Sequence, residues 1–352
     1  MASGKSVSFR THLLANATDL ISGVGLDCAY TAKLIASLAS ELAAYTEEGV
    51  PLSPTVFICN SITELLKRAG VGEHVVLGTK TPADGAAKKL LKAAGGLCGE
   101  SWNIYVERSK NGASCNYGVF CGASDPSSLT LDEVLLAEAE TGFPIVRVAQ
   151  SATNKVEVRT NAGGSIEFRF NADADVHEFD PSGDLHGLAD AIAADLGAQS
   201  ESFARYIERL IAAALKRSHG ALIAVVPSEA QSLPDILEDA VRLKPPLDLH
   251  ERFRRHFDEG KTAASVSRLQ TANELVTGFI GSDGITVFTA TGQVLGYRAF
   301  IRPKAGVSPA AGGARTRAFE ALAKHLGKEL TAVLFRSQDG RIELRKAKPS
   351  ND

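Results

Sequence analysis

The stretch HGALIAVVPS, residues 219–228, decides how the C-terminal part of the chain is read. Ala221 to Val226 is an unbroken apolar run of strand length, bounded by Gly220 and Pro227. A strand with one wet face alternates apolar and polar side chains. An unbroken run is expected where both faces are buried, as in the centre of a sheet covered by helices on both sides. The preceding residues agree. SFARYIERLIAAALKRSHG, 202–220, places Phe203, Ile207, Leu210, Ile211 and Leu215 on one helical stripe, which Gly220 closes. A helix feeding a doubly buried strand predicts an α/β (α+β) domain.

Reading downstream, LPDILEDAVRL (233–243) and LDLHERFRRHF (247–257) predict two more helices. In the second, Leu249, Phe253 and Phe257 form an i, i+4 apolar stripe, and Arg252, Arg254 and Arg255 a solvated basic face. SDGITVFTATGQVLGYRAFI (282–301) reads as strand, tight turn at Thr291–Gly292, strand. A loop rich in Pro and Gly (302–313) leads into ARTRAFEALAKHLG, a helix, and the domain closes as strand, SQDG turn, strand.

Upstream, residues 1–49 are mostly helical in pattern, with Leu34, Leu38, Leu42 and Tyr45 on one face. Helices through Ile62 and Leu66 and along AAKKLLKAAGG flank a short strand at His74 to Gly78. From 101 the period turns to strands, with an Asn111–Gly112 hairpin signal and alternation over Lys155–Arg159 and Ile166–Phe170. Residues 1–172 are therefore expected to form a separate α+β N-terminal domain, without a catalytic constellation. Residues 173–200 are a linker or helical connection, 201–346 the second domain and 347–352 a tail. NADADVHEFDPSGDLHG (171–187) reads as a long loop whose His177 and His186 are solvated rather than metal ligands.

Composition narrows the function classes. A net charge of -3 over 352 residues offers no field for general DNA or RNA binding. The 5 cysteines include no C-x-x-C pair and lack zinc-site spacing, so free thiols are expected. No apolar run approaches the ~18 residues of a membrane span, so no membrane partner and a cytoplasmic location are expected.

Four pieces of the C-terminal part, in order, resemble one family. They are Gly220-Ala221-Leu222-Ile223, then Asp283-Gly284-Ile285, then Gly313-Ala314-Arg315-Thr316-Arg317-Ala318, then a closing strand-turn-strand with Gly340 and Ile342. The diadenylate cyclase (DAC) domain carries GALI, D-G-A, G-T-R-H-R-A and S-E-E-x-G in that order, and the resemblance covers about residues 203–346. It implies a mixed sheet flanked by helices and a nucleotide held by Asp283, Gly284, Ile285, Gly313, Ala314, Arg315, Thr316 and Arg317. In active members two domains meet face to face and join two ATP molecules into cyclic di-AMP with a divalent metal, so the resemblance also implies a homo-oligomer and Mg²⁺ or Mn²⁺.

The chemistry of these residues fits phosphate. Gly312 and Gly313 let backbone approach an anion, the following helix start offers free N–H groups, and Arg315 and Arg317 add two forked cations. Asp283 is expected to take a ribose hydroxyl or a metal, and Gly284 to permit close nucleotide approach. The departures weaken chemistry more than binding. Thr316 replaces the family's histidine, and a hydroxyl is a poor metal ligand and proton acceptor. Ser337 and Gln338 stand where the family has its acidic pair, with Asp339 one place later. The expectation is a nucleotide or cyclic-dinucleotide sensor of bacterial signalling or defence. The alternative is an active, divergent cyclase in which Asp283 and Asp339 hold the metal and Asp283 is catalytic.

Overall fold

The computed structural model describes residues 9–47, 49–70, 73–99, 101–122, 125–137, 142–152, 154–170, 181–230, 232–302, 313–338 and 340–348. The chain divides into two compact units, Met1–Ser124 with Ser128–Asp175, and Asp125–Ser127 with Val176–Asp352. Each is an α+β unit, the class expected from the sequence, and each is built on a mixed sheet.

The first unit begins with helices α1 (Phe9–Ile21) and α2 (Ala29–Leu42) and a small ribbon of β1 (Thr46–Glu47) and β2 (Val50–Pro51). There follow β3 (Val56–Cys59), α3 (Ile62–Ala69), β4 (His74–Pro82), α4 (Ala86–Ala94), β5 (Trp102–Arg108), β6 (Ser114–Cys121), α5 (Leu131–Leu135), β7 (Ile145–Ala152), β8 (Lys155–Thr160) and β9 (Ser165–Arg169). Its seven-stranded sheet has the order β4-β6-β5-β3-β7-β8-β9, with β3 and β5 parallel. Along β3, Val56 and Ile58 face α1, α2 and α4, while Phe57 and Cys59 face α3 and α5. The five thiols are unpaired, and burial pushes that of Cys59 up to about 12.

The second unit runs α6 (Pro181–Ile192), α7 (Ser200–Arg217), β10 (Ala221–Val226), β11 (Leu237–Glu238), β12 (Val241–Asp248), α8 (Leu249–Asp258), α9 (Ala263–Gly281), β13 (Ile285–Thr289), β14 (Gln293–Ile301), α10 (Ala314–Ala323), β15 (Ala332–Arg336) and β16 (Ile342–Lys346). The sheet order is β11-β14-β13-β10-β15-β16, and β12 also pairs with β14. β10 lies at the centre, parallel to β13 and antiparallel to β15. Every residue of β10 is buried. Ala221, Ile223 and Val225 pack under α6, α7, α8 and α9, and Leu222, Ala224 and Val226 pack on the opposite face with Phe319 and Leu322 of α10. The unbroken apolar run thus has two cores to fill, one on each face.

Three sequence expectations are corrected. Residues 233–243 are not a helix: Leu237 and Glu238 pair with Ile301 and Phe300, and Val241 and Arg242 with Tyr297 and Gly296. The outer edge of β14 needs partners for its backbone groups, and Pro245–Pro246 are tolerated on an edge strand but would break a helix. Phe257 does not complete the buried stripe of α8: Leu249 is 0% and Phe253 6% exposed, but Phe257 is 45% exposed, with Lys261 Nζ 4.4 Å over its ring. Finally, 181–187 open α6 rather than a loop. Proline is accommodated in a first helical turn, where its missing N–H has no helical partner to lose. His186, on α6, meets Glu208 at 3.1 Å and Asp190 at 3.5 Å, and the hydrogen bond to Glu208 raises its pKa most. His177 lies outside the described residues.

Leu222→Ala and Ile223→Ala should each cost about 2–5 kcal/mol in chemical denaturation, because each truncates a side chain in a different core. A change within about 0.5 kcal/mol at either position, the size of a surface substitution, would contradict a strand buried on both faces.

Candidate functional site

The register brings the separated motifs to one end of the second sheet. Leu222 of β10 is opposite Ile285 of β13, and Ala221 is opposite Arg336 of β15. Gly220, Asp283–Gly284 and Arg336 therefore fall together, at the amino ends of the two parallel strands. Helix α10 begins nearby with Gly313 as its N-cap, without a side-chain cap.

α10 is held by its body, leaving its start to present arginines. Phe319 is 1% exposed, its ring 5.5 Å from that of Phe335 and 4.6 Å below the Arg345 guanidinium. Arg345 donates to both carboxylate oxygens of Glu320, at 2.7 and 2.9 Å. Those bonds hold the Glu320 carboxyl below the usual glutamate range.

With the helix so fixed, Arg315 reaches across to the strand ends. Its Nη1 donates to the carbonyl oxygen of His219 at 3.4 Å, and its Nη2 stands 3.9 Å from Asp283 Oδ1. Gly220 makes room for it. At φ +135 the backbone favours glycine, and a Cβ there would stand 2.8 Å from Arg315 Nη1 and 3.0 Å from the Arg336 carbonyl oxygen. The side chain of Asp283 is 75% exposed, and its Oδ1 accepts from Gly284 N at 3.1 Å. An exposed, loosely spaced Arg–Asp pair contributes only about 0–1 kcal/mol, so an anion can recruit Arg315 at small cost.

The other expected residues divide. Gly313, Ala314, Thr316 and Arg317 are exposed at the start of α10, and a Cβ at Gly313 would meet nothing within 4 Å. Ile285 turns into the core, 1% exposed. Over Gly284, at φ +105, the close approach is made by the chain itself: a Cβ would stand 2.8 Å from Arg298 Cα and 2.9 Å from the Ala299 carbonyl oxygen. Glycine is thus required there by strand pairing with β14. Gly312 and Asp339 lie outside the described residues.

Sequence reading missed two further arginines at this end. Arg336 is buried, its guanidinium donating to the Ser218 carbonyl oxygen and lying 3.3 Å from Ser218 Oγ. Arg298 is exposed on β14 beside Gly284. The turn motif that follows Arg336 pointed close to it, but nothing in GYRAF marks Arg298.

The described part of the corner offers guanidinium and helix N–H groups, which suit an anion. Among the described residues no group of three or more His, Cys, Asp or Glu is placed to hold a metal ion. The carboxylate at the corner, Asp283, has a guanidinium beside it, and Asp339, the second carboxylate expected to hold Mg²⁺ or Mn²⁺, lies outside the described residues.

A different polar set lies around His256, whose Nδ1 is 2.8 Å from Ser265 Oγ and Nε2 3.1 Å from Asp125 Oδ1. It has the residue types of a nucleophilic triad, but Ser265 is 2% exposed, on α9, and its hydroxyl donates to the Thr262 carbonyl oxygen. With the serine buried and its hydroxyl engaged, the set joins the segments that carry it.

Gly284→Ala should destabilise the protein without any ligand, by about 1–3 kcal/mol, through the left-handed backbone and the contact with β14; an unchanged denaturation midpoint would place the requirement elsewhere. Because its pKa is lowered in the folded state, the contribution of Glu320 is present above the ordinary glutamate pKa of about 4.3 and is lost as pH falls through the lowered value. Melting temperatures followed downward from pH 5 should therefore drop more steeply for the native chain than for Glu320→Gln. Parallel curves would contradict the pairing.

Among the described residues no helix is long and apolar enough to cross a membrane. No family model, no curated protein and no solved structure matches the chain.

Proposed function

We propose that the second unit is a nucleotide-binding sensor domain of the diadenylate cyclase-like type, which takes ATP or a cyclic dinucleotide at the corner of Gly220, Asp283, Arg315 and Arg317. One observation carries the reading. Four motifs far apart in sequence meet at one sheet end, where Arg315 lies within 3.9 Å of Asp283 and against Gly220 at the start of a helix without a side-chain cap. Forked guanidinium groups, helix N–H groups and the positive end of the helix all favour phosphate oxygens. Asp283, largely exposed, is suited to accept from a ribose hydroxyl.

Binding without turnover follows from the same residues. Cyclisation needs charge on the attacked phosphorus to be stabilised and a hydroxyl to be activated, work done in the family by a metal and its ligands. Thr316 stands where that family has histidine, and Asp283 is paired with a cation. Both features retain anion binding and weaken catalysis. ATP and cyclic dinucleotides are cytoplasmic molecules, and the cytoplasm is where we place the protein. A partner copy of the chain, as in the cyclases, would be an added feature of the sensor and not a condition for its site.

The test is a melting experiment on the full chain with ATP and, separately, cyclic di-AMP. A ligand at a hundred times its Kd should add about 2.7 kcal/mol of stability. Arg315→Ala with Arg317→Ala should remove the shift and leave the ligand-free protein folded. Formation of cyclic di-AMP from ATP with Mn²⁺, abolished by Asp283→Asn, would replace the sensor reading with the cyclase one. No shift with either nucleotide would sink both.

A further inference from the structure

Arg298 occupies a position that the fold itself disfavours. It lies inside strand β14 with φ +53, in the left-handed region where a side chain costs energy and glycine is the usual occupant. The cause is a bulge. Ile285 pairs with Ala299 and Val287 with Gly296, so Thr286 of β13 alone faces Tyr297 and Arg298 of β14. Bulges of this two-against-one kind commonly put glycine at the left-handed residue, and they are enriched next to functional sites because they re-aim a side chain. Among the described residues four other non-glycine residues have positive φ: Lys80, Asn154, Asp239 and Lys261. Asn154, Asp239 and Lys261 sit in connections between elements, and Lys80 in the irregular strand β4 of the first unit. Arg298 differs from them in its neighbour.

That neighbour is the Asp283–Gly284 corner. The Arg298 Cα lies 2.8 Å from where a Gly284 Cβ would be, so the two backbones touch. β14 flanks β13 on the side away from β10, whereas Arg315 approaches the corner from the side of Gly220, where β10 begins. Arg315 therefore comes to the Asp283–Gly284 corner from one side by its side chain, and Arg298 from the other by its backbone. Arg315 is engaged with His219 and Asp283. The guanidinium of Arg298 has no hydrogen-bond or ion-pair partner among the described residues, and the residue is exposed. A strained backbone whose side chain makes no hydrogen bond or ion pair among the described residues points to a use outside the fold.

We propose that Arg298 is a phosphate-binding and specificity-determining residue of this site, and that the ligand is a nucleotide carrying more than one phosphate. This rests on the nucleotide reading above. Arg315 at the start of α10 takes one phosphate. Arg298, across Asp283, takes a second, as in the polyphosphate chain of ATP or the second phosphodiester of a cyclic dinucleotide. A monophosphate leaves one flank unused.

The experiment measures the melting temperature of the full chain alone and the affinities for ATP, cyclic di-AMP and AMP by calorimetry, in the native protein, Arg298→Gly and Arg298→Lys. Glycine relieves the left-handed strain, so the ligand-free variant should melt higher, by about 2 °C or more. It should also lose about tenfold or more of its affinity for ATP or cyclic di-AMP, and hardly any for AMP, which removes the preference for two phosphates. Arg298→Lys keeps the strain and the charge but not the fork, and should fall between.

Higher stability with lower, less selective binding is the expected result, since a residue placed only for structure would not link the two. Native and glycine proteins binding the multiphosphate nucleotides equally would overturn the role of Arg298 and leave the nucleotide site standing. A glycine variant that melts lower would overturn the strain on which the inference is built. If none of the three nucleotides binds the native chain, the nucleotide reading fails and this inference with it.

Discussion

The second unit depends on one constraint: strand β10 is buried on both faces and must pair on both edges. Its alternate side chains belong to separate cores, under α6 to α9 on one face and α10 on the other. Its edges are taken by β13, parallel, and β15, antiparallel. Since a one-residue slip would exchange the two faces, the register is strongly specified. That register puts the residue before β10, the residues before β13 and the last residue of β15 at one end. The candidate site is a consequence of packing in the middle of the sheet.

The parts around that end are each held by something outside it. α10 is fixed through Phe319 and Glu320, so the direction of Arg315 is set before any ligand arrives. Gly220 keeps the space that Arg315 occupies, and Gly284 lets β14 close against β13. Such preorganisation is what makes a site out of side chains that are individually ordinary, because ligand binding then orders little. Doubly wound sheets usually take ligands at the carboxyl ends of their parallel strands. Here the corner is at the amino ends, so the case for it comes from the residues and not from topology.

Much of the fold was legible because it follows from periodicity. ALIAVV has the length and unbroken apolarity expected of a doubly covered strand, and the Thr291–Gly292 turn is where the sequence places it, with Gly292 at φ +80. The failures share a cause. Residues 233–243 look helical locally, but the unpaired edge of β14 is a tertiary demand that no window of sequence displays. Phe257 keeps the spacing of a stripe yet falls in the last turn of α8, past the core. For the site, the motif residues could be named from sequence, but their roles could not. Gly284 is needed by β14, and Ile285 belongs to the core. Arg298 was invisible, because a bulge is a mismatch between two strands and leaves no mark in either alone.

The proposed nucleotide site is tested most directly by a structure of the full chain with ATP or cyclic di-AMP bound. The predicted result is a phosphate within hydrogen-bonding distance of the Arg315 guanidinium at the start of α10, beside Gly220 and Asp283. A nucleotide seated elsewhere on the chain, or none at saturating concentration, would contradict it.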